Sequence, residues 1–128
     1  MITFLPFADF VASAVCLDRA RLGKQRVETR QILFALAGFT TAWVNHPAVR
    51  MWSGYEKALS NYGHAIVSQW MLRGYNASFQ FALYDSPPTP PWLGDERLHL
   101  SHRSNLFRKD PVHYAAFACD SLPYFWPS

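Results

Sequence analysis

LDRARLGKQRVETRQILFAL, residues 17–36, is the stretch on which the reading of this chain turns. Asp18 has the short acidic side chain that caps a helix start, good helix formers follow it, and Gly38 suits a stop. The stretch holds Arg19, Arg21, Lys24, Arg26 and Arg30, five of the chain's twelve Lys/Arg residues, with Glu28 the single acid among them. At 3.6 residues per turn, Arg21, Lys24, Gln25, Glu28 and Gln31 share about a third of the helix circumference. One carboxylate in a basic, amide-rich stripe points to polyanion binding around an acid–base or charge-stabilising group. The plain alternative is a solvated face with an ordinary Lys24–Glu28 pair, worth a few tenths of a kcal/mol.

The rest of the chain bounds what such a helix serves. At 128 residues, 50% hydrophobic and 16% aromatic, the expectation is a single domain with a real core. No apolar run approaches the roughly 20 residues of a membrane span, and MITFLPFADF has no basic leader, so a soluble, cytoplasmic protein without membrane partners is expected. Cys16 and Cys119 sit in apolar context and read as two buried free thiols rather than a disulfide. The net charge of +3 is modest, but nine of the twelve basic side chains fall in residues 19–30 and 97–109. Clustered Lys/Arg is the footprint of a phosphate-backbone binder.

Working outward, the spacing predicts a short helix over residues 9–16 before the central one, and FTTAWVN as a β-leaning connector after it. Asn45 or His46 should cap a helix that begins at Pro47. Val49, Trp52, Tyr55, Leu59, Tyr62, Ile66 and Trp70 step by three or four, predicting one long amphipathic helix to Arg73, ended by Gly74. Four prolines in SPPTPPWLGD force an extended strap. A last long helix is expected from Asp95 to Lys109, with a short one to Phe117. The aromatic tail LPYFWPS should lie over a groove. The fold class is all-α, with three main helices and irregular straps.

His99 and His102 share a helix face with His113 nearby, but no paired cysteine or HExxH spacing supports a metal. No cofactor motif, catalytic triad signature or phosphoryl-transfer motif is present. What remains is a carboxylate in a cationic surface, amines beside it, and aromatic side chains able to cradle a base. Excising a base from deoxyribose needs that set: a grip on phosphate, an unstacked nucleotide, and stabilisation of positive charge at C1′. The candidate phosphate contacts are Arg19, Arg21, Arg26, Arg50, Arg103, Arg108 and Lys109. Gln25, His46, Trp52, Tyr55, His102 and Asn105 are the candidates for the nucleotide pocket.

The blocks LDRARLGKQRVETRQIL (17–33), NHPAVRMWSGYEKAL (45–59), RGYN (73–76), SHRSNLFRKDPVHY (101–114) and LPYFWP (122–127) resemble the pyrimidine-dimer DNA glycosylase family, the phage-type endonuclease V class, in its compact bacterial and phage branch. The resemblance implies an all-α monomer acting on double-stranded DNA with a damaged or modified base. It flips a nucleotide, breaks a glycosidic bond, forms a Schiff base through a primary amine and nicks the strand by β-elimination. The family's helix glutamate falls on Glu28. Its nucleophile is an N-terminal amine, here that of Met1, because Ile2 as second residue leaves the methionine in place; Lys24 is the alternative amine. Val27 and Gln31 stand where the family carries arginines. A DNA base-modifying transferase on the same scaffold and a non-catalytic nucleic-acid-binding module are the rival readings.

Overall fold

Short acidic side chains set the first two helix starts. In this computed structural model, which describes residues 1–127, Asp9 caps α1 (Phe10–Cys16) by accepting from the Ala12 N–H at 2.9 Å. Asp18 caps α2 (Arg19–Leu36) by accepting from the Arg21 N–H at 3.4 Å. The His46 imidazole caps α3 (Pro47–Arg50), its Nδ1 accepting from the Ala48 N–H at 3.0 Å, with Pro47 at the position that needs no donor. Then come α4 (Glu56–Leu72), α5 (Glu96–Lys109) and a 3₁₀ turn, Ala115–Phe117. The described residues contain no strand, so the chain is all-α as expected. No described helix is long and apolar enough to cross a membrane.

Both α1 and α2 pack against α4. Leu22 and Ile32 of α2, Leu59, Tyr62 and Ile66 of α4, and Leu98 and Leu106 of α5 are fully buried together. Each such aliphatic side chain contributes about 1.5–3 kcal/mol relative to an exposed one. Arg73, at the end of α4, ties the α1–α2 corner: its Nη2 donates to the carbonyls of Leu17 at 2.7 Å and Val15 at 3.1 Å. Those are carbonyls that the end of α1 leaves without helical partners.

The N-terminal segment runs extended through the middle of this helical frame. Its backbone groups have no strand to pair with, so side chains from three helices take that role. Phe4 donates to Gln25, Leu5 donates to His102 Nδ1, and His99 Nδ1 donates to the Leu5 carbonyl, at 2.8–2.9 Å. Arg103 donates to the Pro6 carbonyl at 2.7 Å, and the Trp52 indole to Thr3 Oγ1 at 3.1 Å. The concentration of buried polar side chains on α2 and α5 follows from this one segment.

Four expectations are corrected. The long helix from Pro47 to Arg73 is two helices, because Gly54 takes φ +87° and turns the chain between them. Trp52 stays buried through the turn, so the apolar spacing continues although the helix does not. Residues 42–45 form a turn, with the His46 N–H donating to the Trp43 carbonyl at 2.9 Å, rather than a β-leaning crossover. The segment 110–117 yields only the 3₁₀ turn, Ala115–Phe117. Of the two thiols, Cys16 is partly buried, with its pKa pushed up to about 11 by burial, while Cys119 is exposed; neither forms a disulfide.

Candidate active site

The phase of α2 puts Arg21, Lys24 and Glu28 on one wall of a cleft of about 460 Å³. Met1, Ile2 and Phe4 of the extended segment form the second wall, Lys109 of α5 stands at the rim, and Tyr124 and Trp126 of the tail close the third side. The tail is fastened there by α5. Ser104 Oγ accepts from the Leu122 N–H at 3.0 Å, Asn105 donates to the Leu122 carbonyl at 3.1 Å, and Ser101 Oγ accepts from the Phe125 N–H at 3.1 Å.

Beneath the floor one side chain joins the two walls. Gln25 is buried, and its Nε2 donates to the Ile2 carbonyl at 2.9 Å and to Glu28 Oε2 at 3.0 Å. Its Oε1 accepts from the Phe4 N–H at 2.9 Å. The Tyr62 hydroxyl lies 2.7 Å from Gln25 Oε1 and 2.8 Å from the Phe4 carbonyl, sharing its one proton between them. Burial pushes the Tyr62 pKa well up, so it remains a donor. All four hydrogen-bonding positions of the Gln25 amide are therefore used, and the N-terminal residues and the carboxylate are held in one register.

Charge around the cleft is largely positive. Arg21 is held by Asp18 at 3.2 Å, and burial of that carboxyl is outweighed by hydrogen bonds from Tyr114 and Arg21, which keep its pKa below the ordinary value. Lys24 and Lys109 are exposed and have no carboxylate ion-pair partner among the described residues. His46 packs edge-on against Trp126, ring centroids 5.8 Å apart. Partial burial and the N-terminal ammonium lower its pKa, with the Glu28 carboxylate pulling the other way, so the imidazole senses both groups.

Other predicted site residues are elsewhere. Trp52 and His102 are fully buried and present no face to a nucleotide; they hold the extended segment from below. Burial, with a smaller effect of His99, drives the His102 pKa down to about 3. Asn105 anchors the tail, and Tyr55 is half-buried against the core. Arg103 is committed to the Pro6 carbonyl and to Glu96, and Arg108 to Asn105 and Ser121. Arg50 is exposed on α3 and does not line the cleft, and Arg19 and Arg26 lie on the other flank of α2. The sequence reading missed Ile2 and Phe4 as walls and Tyr62 as part of the floor. For Tyr124 and Trp126 the signal was the aromatic tail itself.

Volume does not single out this cleft. A groove of about 500 Å³ between α1 and α4 is as large, but it has no Lys or Arg and sets no amine beside a carboxylate. The cleft is the one that brings an amine wall, a carboxylate and an aromatic side together among the described residues. The family description "Pyrimidine dimer DNA glycosylase" matches residues 1–83 of the 128, and the chain belongs to that family. Curated proteins and solved structures give no match. The matched part contains the extended segment and α1–α4, and hence Met1, Gln25, Glu28 and Tyr62. Lys109, Tyr124 and Trp126 lie outside it, so one side of the cleft is furnished by α5 and the tail alone.

Proposed function

We propose that the protein is a DNA glycosylase with lyase activity that works on one extruded nucleotide in the cleft, with the Met1 α-amine as nucleophile. The observation that carries this reading is the Gln25 bridge, one buried amide bonded to both the N-terminal segment and Glu28. The neutral amine adds to C1′, and the glycosidic bond breaks with its electron pair leaving on the base. Glu28 stabilises the developing positive charge and takes the proton that the amine loses. Ring opening, with a proton added at O4′, gives the imine. Loss of a C2′ proton then expels the 3′ phosphate and nicks the strand. Arg21, Lys24 and Lys109 hold the flanking phosphates, and Trp126 offers a ring face to an unstacked base.

Double-stranded DNA is the substrate in this reading, the protein acts as a monomer, and a pyrimidine dimer is the first lesion to test. Incubating dimer-containing duplex with the protein should break the glycosidic bond of the 5′ pyrimidine, which stays joined to its 3′ partner through the dimer, and cut the strand. Glu28→Gln should bind the duplex and leave that bond intact; cleavage by that variant at the parental rate would remove Glu28 from the mechanism. The rival readings give different products: an intact strand with a base of altered mass for a transferase, and binding alone for a non-catalytic module.

A further inference from the structure

The flank of α2 turned away from Glu28 carries its own row of cations. Arg19, Arg26 and Arg30 lie roughly half a turn around the axis from Glu28 at 100° per residue. Along the axis, Arg26 is about 10 Å from Arg19 and about 6 Å from Arg30 at 1.5 Å per residue. None has a carboxylate ion-pair partner among the described residues. Each guanidinium instead lies over an aromatic ring: Arg26 over Trp70 at 4.4 Å, Arg30 over Phe79 at 4.7 Å and Arg19 over Tyr75 at 5.3 Å. Gly23 allows this, because a Cβ there would meet the Trp70 ring at 3.0 Å.

A guanidinium lying on a ring has its plane fixed, while its in-plane N–H edges stay free for the paired bonds that phosphate oxygens accept. The Nε of Arg26 is buried without a hydrogen-bond partner, so a phosphate meets this residue only at its terminal Nη groups. At the far end of the row Arg30 also lies over Phe34 at 4.9 Å, and Phe34 and Phe39 stand edge to face, with Phe39 79% exposed. A shallow trough of about 570 Å³ runs past Asp18, whose carboxylate is taken up by Arg21 and Tyr114, and past Arg19, Gly23 and Trp70; Ala20 borders both this trough and the Glu28 cleft.

We propose that this flank is a second nucleic-acid surface, a track for single-stranded DNA whose phosphates lie on the arginine row and whose bases stack on Phe39 at its end. A single strand is the occupant chosen because it presents base faces, which a duplex keeps stacked inside itself. Guanidinium edges along the row and the open Phe39 ring at its end match phosphate and base together. The track requires no chemistry in the cleft, so it stands or falls separately from the glycosylase reading.

The test is binding of a short labelled oligodeoxythymidine strand, and of an undamaged duplex of equal length, across a salt series. Arg19→Gln/Arg30→Gln changes the two exposed members and leaves Arg26 on Trp70; circular dichroism and thermal unfolding check that the fold is kept. The double variant should lose about tenfold or more in single-strand affinity at low salt. Its log–log salt slope should become shallower by about 1.4, or 0.7 for each phosphate released. Phe39→Ala should weaken single-strand binding several-fold with the slope unchanged. Lys24→Gln/Lys109→Gln, in the cleft, should leave single-strand binding nearly intact. Unchanged single-strand affinity in the arginine variant overturns the proposal. So does a loss confined to duplex, which would make duplex DNA the occupant.

Discussion

The two flanks of α2 differ in what faces their cations. On one, Arg21, Lys24 and the nearby Lys109 surround a single carboxylate that is bonded inward to Gln25. On the other, Arg19, Arg26 and Arg30 lie over aromatic rings and none is ion-paired among the described residues. A charge set against an opposite charge in a cleft with an amine can serve chemistry. A charge set on a ring is oriented but leaves its hydrogen bonds unspent, which serves recognition. One helix thus presents two different surfaces to a polyanion, and net charge alone would not tell them apart.

The largest effect expected is on the reactive flank. Glu28→Gln should lower the rate of glycosidic-bond cleavage by about 10²-fold or more, as loss of a positioned acid–base group does, with duplex binding kept. A fall of only a few-fold would make Glu28 one more surface contact and erase the difference between the flanks. Next is Gln25→Leu, which leaves the buried Phe4 N–H and the Ile2 carbonyl without their partner, at about 1–3 kcal/mol for each group. Chemical denaturation should show a loss of about 3 kcal/mol. Single-turnover glycosidic-bond cleavage should fall further than the folded fraction does, because the amine and the carboxylate lose their shared anchor.

Gly23→Ala probes the opposite flank. A Cβ there would meet the Trp70 ring at 3.0 Å, and the strain should cost about 1 kcal/mol in thermal unfolding. Single-strand binding should drop while glycosidic-bond cleavage is kept; the reverse pattern would exchange the roles of the flanks. The smallest effect is on pH. His102 has a folded pKa of about 3, below the 6.5 of an exposed imidazole, so between those values the unfolded chain binds the extra proton. Stability contributed by neutral His102 is present above about pH 6.5 and is lost as pH falls through that window. The slope is at most about 1.4 kcal/mol per pH unit. Isothermal denaturation of the parent and His102→Asn should differ in slope below pH 6.5, and equal slopes would remove His102 from that role.

Helix boundaries were legible where capping chemistry is local. Asp18 with Gly38 and Asp95 with Lys109 bracket α2 and α5 nearly to the residue. The break at Gly54 was not legible from apolar spacing, because Trp52 is buried by the turn as thoroughly as a helix would bury it. In the site, helical phase placed Arg21, Lys24 and Glu28 together. It also placed Gln25 with them, yet gave it to the nucleotide rather than to the chain. That error has a physical origin: the partners of Gln25 are the N-terminal backbone and Tyr62, 21 to 37 positions away in sequence, and no local pattern encodes such a pairing. The same holds for His102, assigned to the nucleotide pocket but spent on Leu5, 97 positions away.

The most direct test of the central claim is to reduce the protein with borohydride during its reaction on an abasic or dimer-containing duplex and to map the trapped adduct by peptide mass. The account predicts one DNA adduct, on the α-amine of Met1, that disappears when that amine is acetylated. An adduct on Lys24 or on any other lysine, or no adduct from a preparation that binds and cuts the same DNA, would contradict it.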